Sequence, residues 1–228
     1  MKQLALDIGL STRPTLETFF SGPNEAAVNH LRLWTSGGTR APVPTYLWGE
    51  TGSGKTHLLQ AVHQALSDQG LSVGWLDSHT FHPPEFNDDW AAVLMDDVHL
   101  YNSEQQHTAF NWFVNALAPR TGTPRWVLAA GHLPPADLQL RDDLRTRLGW
   151  GHVYGLQVLD EPARRAVLRQ AAESRGLFLS DDVMSYMLNR FSRDLGSLML
   201  LLDHLDHYAL QTQRALTIPL VRAMLENE

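Results

Sequence analysis

The sequence predicts an α/β protein with a parallel sheet flanked by helices, followed by a small all-helical domain. Short apolar segments alternate with helical patterns as far as about residue 158, and this alternation is typical of a parallel sheet with helices on its faces. From Asp160 onward the strand pattern stops and only helical periodicity continues. The 228 residues are enough for one α/β domain and a small second domain.

The strands are predicted from apolar runs of four to six residues, and a further strand is expected shortly after Arg147. A continuous apolar run, such as the one ending at Met95, indicates a strand that is buried on both faces of the sheet. The predicted strands are Thr45–Trp48, Ser72–Asp77, Ala91–Met95 and Trp126–Ala130.

Helices are predicted between these strands and throughout the last part of the chain. A first helix runs from Asn24 to Trp34, a second follows the glycine-rich loop after Trp48, and a third begins at a capping box formed by Ser103 and Gln106. Four helices are expected after Asp160, with starts near Glu161, Ser180, Leu195 and Thr217. We therefore predict three segments: a flexible tail over 1–13, the α/β domain over 14–158 and a helical lid over 159–228.

The composition of the chain argues against several classes of function. The net charge of −7 argues against a protein whose main activity is to hold duplex DNA, because cationic side chains supply most of that affinity. The chain has no cysteine, which excludes disulfides and thiol catalysis. No apolar run approaches the ~20 residues that cross a bilayer, and we expect a soluble protein without membrane contact.

A complete phosphate-binding loop lies between the first strand and the second helix. Glycines let backbone N–H groups turn toward phosphates, Lys55 neutralises charge, and the hydroxyl of Thr56 is a ligand for Mg²⁺. The sequence therefore predicts a site for ATP or ADP with Mg²⁺. Its residues are Gly49, Glu50, Thr51, Gly52, Ser53, Gly54, Lys55 and Thr56.

Charged residues elsewhere are candidates for completing the chemistry. Asp96 and Asp97 end a buried strand, and we expect Asp96 to hold Mg²⁺ and Asp97 to orient the attacking water. A solvated acidic turn is the alternative. Arg147 and Arg193 could each sense a terminal phosphate through a bidentate guanidinium, although most arginines are solvated surface residues.

These motifs resemble those of the DnaA-like AAA+ ATPases. The run from Gly49 through His57 to Leu59 is similar to their phosphate loop, and Leu94–Val98 is similar to their Walker B strand. The stretch 147–151 resembles their arginine-finger box. The segment 19–24 resembles the part that lies near the adenine in that family. The resemblance of these two segments implies that Pro23 and Asn24, and His57 after the loop, contact the nucleotide.

Within that family the chain resembles the Hda branch, regulators of DnaA without a DNA-binding domain, because no helix-turn-helix pattern follows the lid. The tail is similar to the peptide with which that branch binds the β subunit of the DNA polymerase sliding clamp. Its anchors would be Gln3, Leu4, Leu6 and Ile8, although such a match also arises by chance. The resemblance implies a cytoplasmic bacterial protein that the clamp brings to the nucleoid.

The resemblance also implies partners and roles. Arg147 would act in trans as an arginine finger on ATP bound to DnaA, and Arg193 would be the sensor arginine of the lid. DNA contact would be mainly indirect, and self-association stays open. The segment 131–135 departs from the family: His132 takes the sensor position and the arginine that usually follows is missing. That departure puts intrinsic hydrolysis in doubt and favours nucleotide as a structural switch.

Two other functions stay open. A DnaA-like or helicase-loader ATPase acting on single-stranded DNA would use the same phosphate loop and the same pair of carboxylates. The acidic net charge disfavours it. A transposon-type ATPase helper, which shares this core, is a third and weaker alternative.

Overall fold

The computed structural model describes residues 14–36, 43–119, 122–190 and 195–226. The chain divides into two compact units, with the boundary between Val158 and Leu159. The first unit alternates strands and helices. Its elements are α1 (Glu25–Thr35), β1 (Thr45–Trp48), α2 (Lys55–Ser67), β2 (Ser72–Leu76), β3 (Trp90–Met95), α3 (Ser103–Leu117), β4 (Trp126–Gly131), α4 (Asp142–Leu148) and β5 (His152–Gly155).

The five strands form one sheet in the order β2-β3-β4-β1-β5, and every neighbouring pair is parallel. The predicted α/β class with a parallel sheet is therefore confirmed. Because parallel strands all end at the same edge, the loops that follow β1, β3 and β4 lie side by side. The loops after β1 and β4 are joined there, since the amide of Gly49 donates to the carbonyl of Gly131 at 3.3 Å.

Each face of the sheet carries its own apolar core. One core contains the buried faces of α1 and α2, including Leu31, Leu58 and Leu66, and the other contains Trp112 and Phe113 of α3. The central strands contribute to both, because successive side chains point to opposite faces. This double burial explains why β3 and β4 are apolar along their whole length.

The start of α3 differs from the prediction. The N-cap is Asn102, whose Oδ1 accepts from the amide of Gln105 at 2.9 Å, while the Gln105 side chain accepts from the amide of Asn102 at 2.9 Å. The predicted capping box of Ser103 and Gln106 is thus wrong by one residue. Gln105 is buried, and its Nε2 donates to the carbonyls of Asp77, Ser78 and Thr80, which fixes this register.

The second unit contains helices alone among its described residues. Asp160 caps the first helix, since its Oδ1 accepts from the amide of Ala163 at 2.9 Å. Leu168, Met184, Leu202 and Val221 are buried in its apolar core. The helices are α5 (Glu161–Ser174), α6 (Asp181–Arg190), α7 (Leu195–Thr212) and α8 (Ile218–Glu226). Across the described ranges of both units, none of the helices has the length and apolar character that a membrane span needs.

Candidate nucleotide-binding site

The loop between β1 and α2 has the conformation of a phosphate cradle. Gly54 caps α2 with a φ of 94°, a left-handed conformation that side chains with a Cβ rarely adopt. A Cβ on Gly54 would lie 2.6 Å from Cε2 of Phe19, and one on Gly49 would lie 2.4 Å from the carbonyl oxygen of Leu156. The backbone carbonyl of Leu156 thus excludes a side chain at Gly49, whereas at Gly54 it is the left-handed backbone that favours glycine.

Lys55 is the first residue of α2 and lies inside the loop, only 7% exposed. Its Nζ donates to the carbonyl of Gly49 at 2.8 Å and to that of Glu50 at 3.0 Å. Burial lowers the pKa of Lys55, and the carboxylates of Asp97 and Asp96 oppose this shift. The ammonium is thus held at the N-terminal end of a helix, where the helix dipole also favours an anion.

Ser53 adds an observation that points to a ligand. Its Oγ is buried and has no hydrogen-bond partner among the described residues. Buried hydroxyls in proteins are nearly always bonded, so an unpaired one inside a glycine-lined loop fits a phosphate oxygen as its partner. The residues present therefore fit a nucleotide phosphate, and Lys55, Ser53 and the loop amides would hold it.

The two carboxylates lie at the end of β3 as predicted. Asp96 is buried, and its Oδ1 accepts from the amide of Asp97 at 3.0 Å. Burial raises the pKa of Asp96; a hydrogen bond from the Thr56 side chain opposes the shift, and the charge of Asp97 adds to it. A carboxylate and a hydroxyl brought together in this way are ligands that Mg²⁺ accepts.

The composition of the site also indicates how a cation would be held. Among the described residues, no group of three or more histidine or acidic side chains forms a metal cluster. Mg²⁺ would therefore be bound by Asp96, Thr56 and the phosphates of the nucleotide itself, which is its usual mode with nucleoside phosphates. When bound, the cation would neutralise charge on the phosphate oxygens.

Asp97 adopts an unusual backbone conformation, with φ 49° and ψ 42°. A residue other than glycine in this left-handed region is uncommon and is often found where function requires it. The turn carries the chain from β3 into the short 3-10 turn Val98–Leu100. It leaves the Asp97 carboxylate close enough to Lys55 to oppose the lowering of the Lys55 pKa.

The segment before α1 packs against the loop; whether Pro23, Asn24 and His57 contact a nucleotide stays a prediction. The ring of Phe19 lies against Gly54 and 5.4 Å from that of His57. His57 has a lowered pKa because of burial, and its Nε2 lacks a partner in the described structure. Pro23 is exposed, whereas Asn24 is buried with its amide bonded to the backbone of Gln157. The contribution of Phe19 was missed because no local pattern indicates a contact with Gly54.

Arg147 lies near the C-terminal end of α4 and contacts α3. Its guanidinium is 5.1 Å from the centre of the Phe110 ring and 5.9 Å from that of Phe113. Arg141 and Arg145 form ion pairs with Asp143 and Asp142, each at 2.7 Å. The side chain of Arg147 has neither an ion pair nor a hydrogen bond within the described residues.

A groove of about 590 Å³ adjoins Arg147. Trp150, 69% exposed, forms part of its wall. The turn that carries Trp150 is held at both ends. The amide of Trp150 donates to the carbonyl of Arg147 at 3.1 Å, and the amide of His152 donates to the carbonyl of Pro44 at 2.8 Å. The groove is lined by Phe110, Asp142, Asp143, Thr146, Arg147 and Trp150.

Two sets of predicted site residues lie outside the described structure. They are Arg193, assigned as a lid sensor, and the four anchors of the tail peptide, Gln3, Leu4, Leu6 and Ile8. Their roles therefore stay predictions from the sequence.

A parallel sheet with a phosphate loop after one strand and paired carboxylates after another defines a P-loop nucleotide-binding protein. Comparison with known families makes this more specific. Residues 10–86 match the bacterial DnaA ATPase domain, and residues 160–225 match the lid domain of Hda. The chain is thus an Hda/DnaA-like AAA+ protein.

Solved structures agree with this fold. Domain III of the replication initiation protein DnaA from Thermotoga maritima superposes with a TM-score of 0.73 at 22% identity, over 93% of this chain and 95% of that one. AMPPCP-bound DnaA from Aquifex aeolicus gives 0.67 at 22% identity, over 83% of this chain and 64% of that one. The branch migration motor RuvB from T. maritima gives 0.66 at 13% identity, over 94% and 72%.

Proposed function

We propose that this chain binds an adenine nucleotide with Mg²⁺ at residues 49–56, and that it promotes hydrolysis of ATP bound to a DnaA partner. Nucleotide binding is supported by the glycine cradle, the buried Lys55 and the unpaired Ser53 hydroxyl. It is also supported by the AMPPCP-bound structure of a DnaA with the same fold. The match to the Hda lid supports the regulatory role.

The observation that carries the regulatory role is that the guanidinium of Arg147 has no ion pair within the described residues. Three arginines lie along residues 141–147, and the two that are paired with aspartates are neutralised locally. Arg147 keeps its charge unpaired in the described structure while Phe110 and Phe113 support its guanidinium. An arginine set against a terminal phosphate stabilises the charge of the transition state and supplies about 10³ to 10⁵ in rate in other NTPases.

Docking on the sliding clamp is the second part of the proposal. Gln3, Leu4, Leu6 and Ile8 would enter pockets of the clamp as an extended peptide, a mode that suits alternate side chains of one short segment. The clamp on DNA would bring the chain to the initiator, so that contact with DNA is mainly indirect. The net charge of −7 agrees with a protein that reaches DNA through a partner.

The test is hydrolysis of DnaA-bound ATP in the presence of clamp loaded on DNA. Wild-type chain is expected to accelerate hydrolysis, and Arg147→Ala to reduce that acceleration at least about 100-fold. Arg145→Ala is the matched control, because Arg145 lies on the same helix but is paired with Asp142. Equal stimulation by wild type and Arg147→Ala would refute the assignment.

The clamp contact has its own test. Gln3→Ala and Leu4→Ala are expected to abolish retention of the chain on immobilised clamp without changing its nucleotide affinity. Retention that is unchanged in both variants would refute this part of the proposal and leave the role of Arg147 standing.

A second candidate is an ATPase that acts on single-stranded DNA, as a DnaA-like initiator or a helicase loader. It is favoured by the intact phosphate loop, by the pair Asp96 and Asp97, and by a similar structure of DnaA bound to AMPPCP and single-stranded DNA. ATP turnover by this chain alone that rises with single-stranded DNA and is lost in Lys55→Ala would support this candidate over the regulatory one.

A further inference from the structure

A groove of about 460 Å³ lies between helix α3 and the segment 77–89, and none of the chemistry described above uses it. This segment joins β2 to β3 and contains neither a helix nor a strand. Connections of this length without regular structure are uncommon in compact domains, and they are usually either functional or disordered. We call the segment the β2–β3 loop.

Hydrogen bonds from neighbouring elements hold the β2–β3 loop in place. At its start, the buried amide of Gln105 donates to three backbone carbonyls of the loop. In its middle, the indole Nε1 of Trp112 donates to the carbonyl of Pro84 at 3.1 Å. Near its end, the guanidinium of Arg125 donates to the carbonyl of Asp88. A groove wall that is held at three points is already organised for binding, which lowers the entropic cost of taking up a ligand.

An aromatic cluster supports the groove from below. The ring centres of Phe86 and Trp90 are 5.7 Å apart, and those of Trp90 and Trp112 are 4.6 Å apart. Trp112 is almost fully buried, whereas Phe86 is partly exposed and lines the groove together with Pro83 and Pro84. Grooves lined by aromatic side chains are a recurring site for extended peptide segments.

Both walls of the groove lack cationic residues. Neither lysine nor arginine occurs in the β2–β3 loop or in α3. The acidic residues of the loop are Asp77, Glu85, Asp88 and Asp89. Asp88 lies 3.7 Å from the guanidinium of Arg125, whereas Glu85 lines the groove and has no ion pair within the described residues. The groove therefore has an unneutralised carboxylate, and its charge is complementary to a cation.

Two amide side chains of α3 line the opposite wall, those of Asn111 and Asn115. The Nδ2 of Asn115 donates to the backbone carbonyl of Asn111 at 2.9 Å. The side chain of Asn111 is exposed and makes no hydrogen bond within the part of the chain that the structure describes. Because an amide both donates and accepts, it can bond the N–H and C=O groups of an extended backbone.

We propose that this groove binds an extended segment of a partner protein that carries arginine. The guanidinium would pair with Glu85 and stack on the ring of Phe86, since arginine combines a fixed charge with a planar surface. Asn111 and Asn115 would bond the backbone of the segment. The same acidic charges disfavour a polyanion such as DNA in the groove. The inference is independent of the proposed nucleotide site.

The test is fluorescence anisotropy of a labelled peptide, Gly-Pro-Arg-Pro-Arg-Pro-Gly, titrated with the full chain. Wild type is expected to bind one peptide per chain, and to bind the same peptide with glutamate in place of arginine at least about tenfold more weakly. Glu85→Lys should weaken binding of the arginine peptide about tenfold or more, and Asn111→Ala about threefold. Glu104→Lys is the matched control, because it makes the same change of charge at an exposed position of α3 outside the groove.

Three results would overturn the inference. Equal effects of Glu85→Lys and Glu104→Lys would show that only the net charge of the chain attracts the peptide. Failure of wild type to bind the arginine peptide at concentrations up to about 1 mM would show that the groove does not recognise it. A labelled single-stranded oligonucleotide whose binding is lost in Asn111→Ala would assign the groove to nucleic acid instead. Thermal unfolding shows whether each variant is folded, and both Glu85 and Asn111 are exposed, so neither substitution removes a core contact.

Discussion

Asn24 exchanges two hydrogen bonds with the backbone of Gln157, 133 residues further along the chain. Its Nδ2 donates to the carbonyl of Gln157 at 2.9 Å, and its Oδ1 accepts from the amide of Gln157 at 2.8 Å. The side chain is buried. One amide thus joins the first helical turn of the α/β unit to the segment that follows its last strand.

We expect Asn24→Ala to lower the free energy of unfolding by about 1–3 kcal/mol, because buried polar groups lose their partners. Urea unfolding followed by circular dichroism measures this change. Asn29→Ala is the matched control: Asn29 is an exposed asparagine nearby on α1, and its loss should cost less than about 0.5 kcal/mol. Equal effects of the two substitutions would show that the Gln157 contact does not stabilise the fold.

Asp96→Asn should make the nucleotide-free protein more stable. Burial raises the pKa of Asp96, so the folded chain holds this proton more tightly than the unfolded chain. The contribution of this group to the free energy of unfolding is present at acidic pH and is lost as the pH rises through the raised pKa. At neutral pH the burial of this group therefore lowers the stability of the folded chain. We expect the variant to gain about 1 kcal/mol in urea unfolding near neutral pH.

The same substitution should weaken binding of Mg²⁺-nucleotide, because an amide is a poorer ligand for Mg²⁺ than a carboxylate. Asp137→Asn, at an exposed position, is the control and should alter neither property. A variant that is less stable than wild type and still binds Mg²⁺-nucleotide normally would contradict the assignment of Asp96.

His30 should make stability depend on pH. Its Nε2 lies 2.9 Å from Oγ1 of Thr45, and its ring packs against those of His152 and Tyr154. Burial and the charge of His152 lower the pKa of His30, so the unfolded chain binds a proton more readily than the folded one. Stability is then lost as pH falls from the ordinary histidine pKa toward the lowered folded value.

Urea unfolding at about pH 7.5 and about pH 5.5 tests this contribution. The loss of stability on acidification should be smaller in His30→Gln, which keeps a hydrogen-bonding group for Thr45 but does not titrate. The same loss in wild type and variant would show that His30 is not the group responsible.

Trp150 should strengthen docking on the proposed DnaA partner without taking part in the chemistry. It is exposed on a fixed turn beside Arg147, and tryptophan and arginine are enriched among residues that dominate interface energies. In the assay of DnaA-bound ATP, Trp150→Ala should raise the concentration for half-maximal stimulation about tenfold and leave the plateau unchanged. Phe178→Ala, at an exposed aromatic residue of the helical unit, should change neither quantity. A lower plateau with unchanged half-saturation would contradict the anchoring role.

Local sequence patterns were sufficient to predict the strands, the phosphate loop and the pair of carboxylates after β3. The structure has β1 at the predicted residues, and β2 ends one residue earlier than predicted, at Leu76. The strand β3 begins one residue earlier, at Trp90, and β4 runs one residue further, to Gly131. These strands are recognisable because burial on both faces of the sheet requires continuous apolar runs. The phosphate loop could be predicted because its glycines and Lys55 are adjacent in sequence.

Features that depend on distant residues could not be predicted in this way. The capping residue of α3 is one example, since both Asn102 and Ser103 are good caps with a glutamine three residues later. The contacts of Gln105 with the carbonyls of Asp77, Ser78 and Thr80 select the first. The ring contact between His99 and His132 and the hydrogen bonds between Asn24 and Gln157 likewise join segments that are distant in sequence. These segments are neighbours only because of the order of the strands in the sheet.

The central claim is that residues 49–56 hold the phosphates of an adenine nucleotide, and titration of the chain with ADP and Mg²⁺ tests it most directly. The chain contains two lysines, so Lys2→Ala is a natural control for Lys55→Ala. We predict one nucleotide bound per chain by wild type and by Lys2→Ala, with affinity lowered by about two orders of magnitude in Lys55→Ala. Equal affinity in all three proteins, or no binding by wild type, would contradict the account.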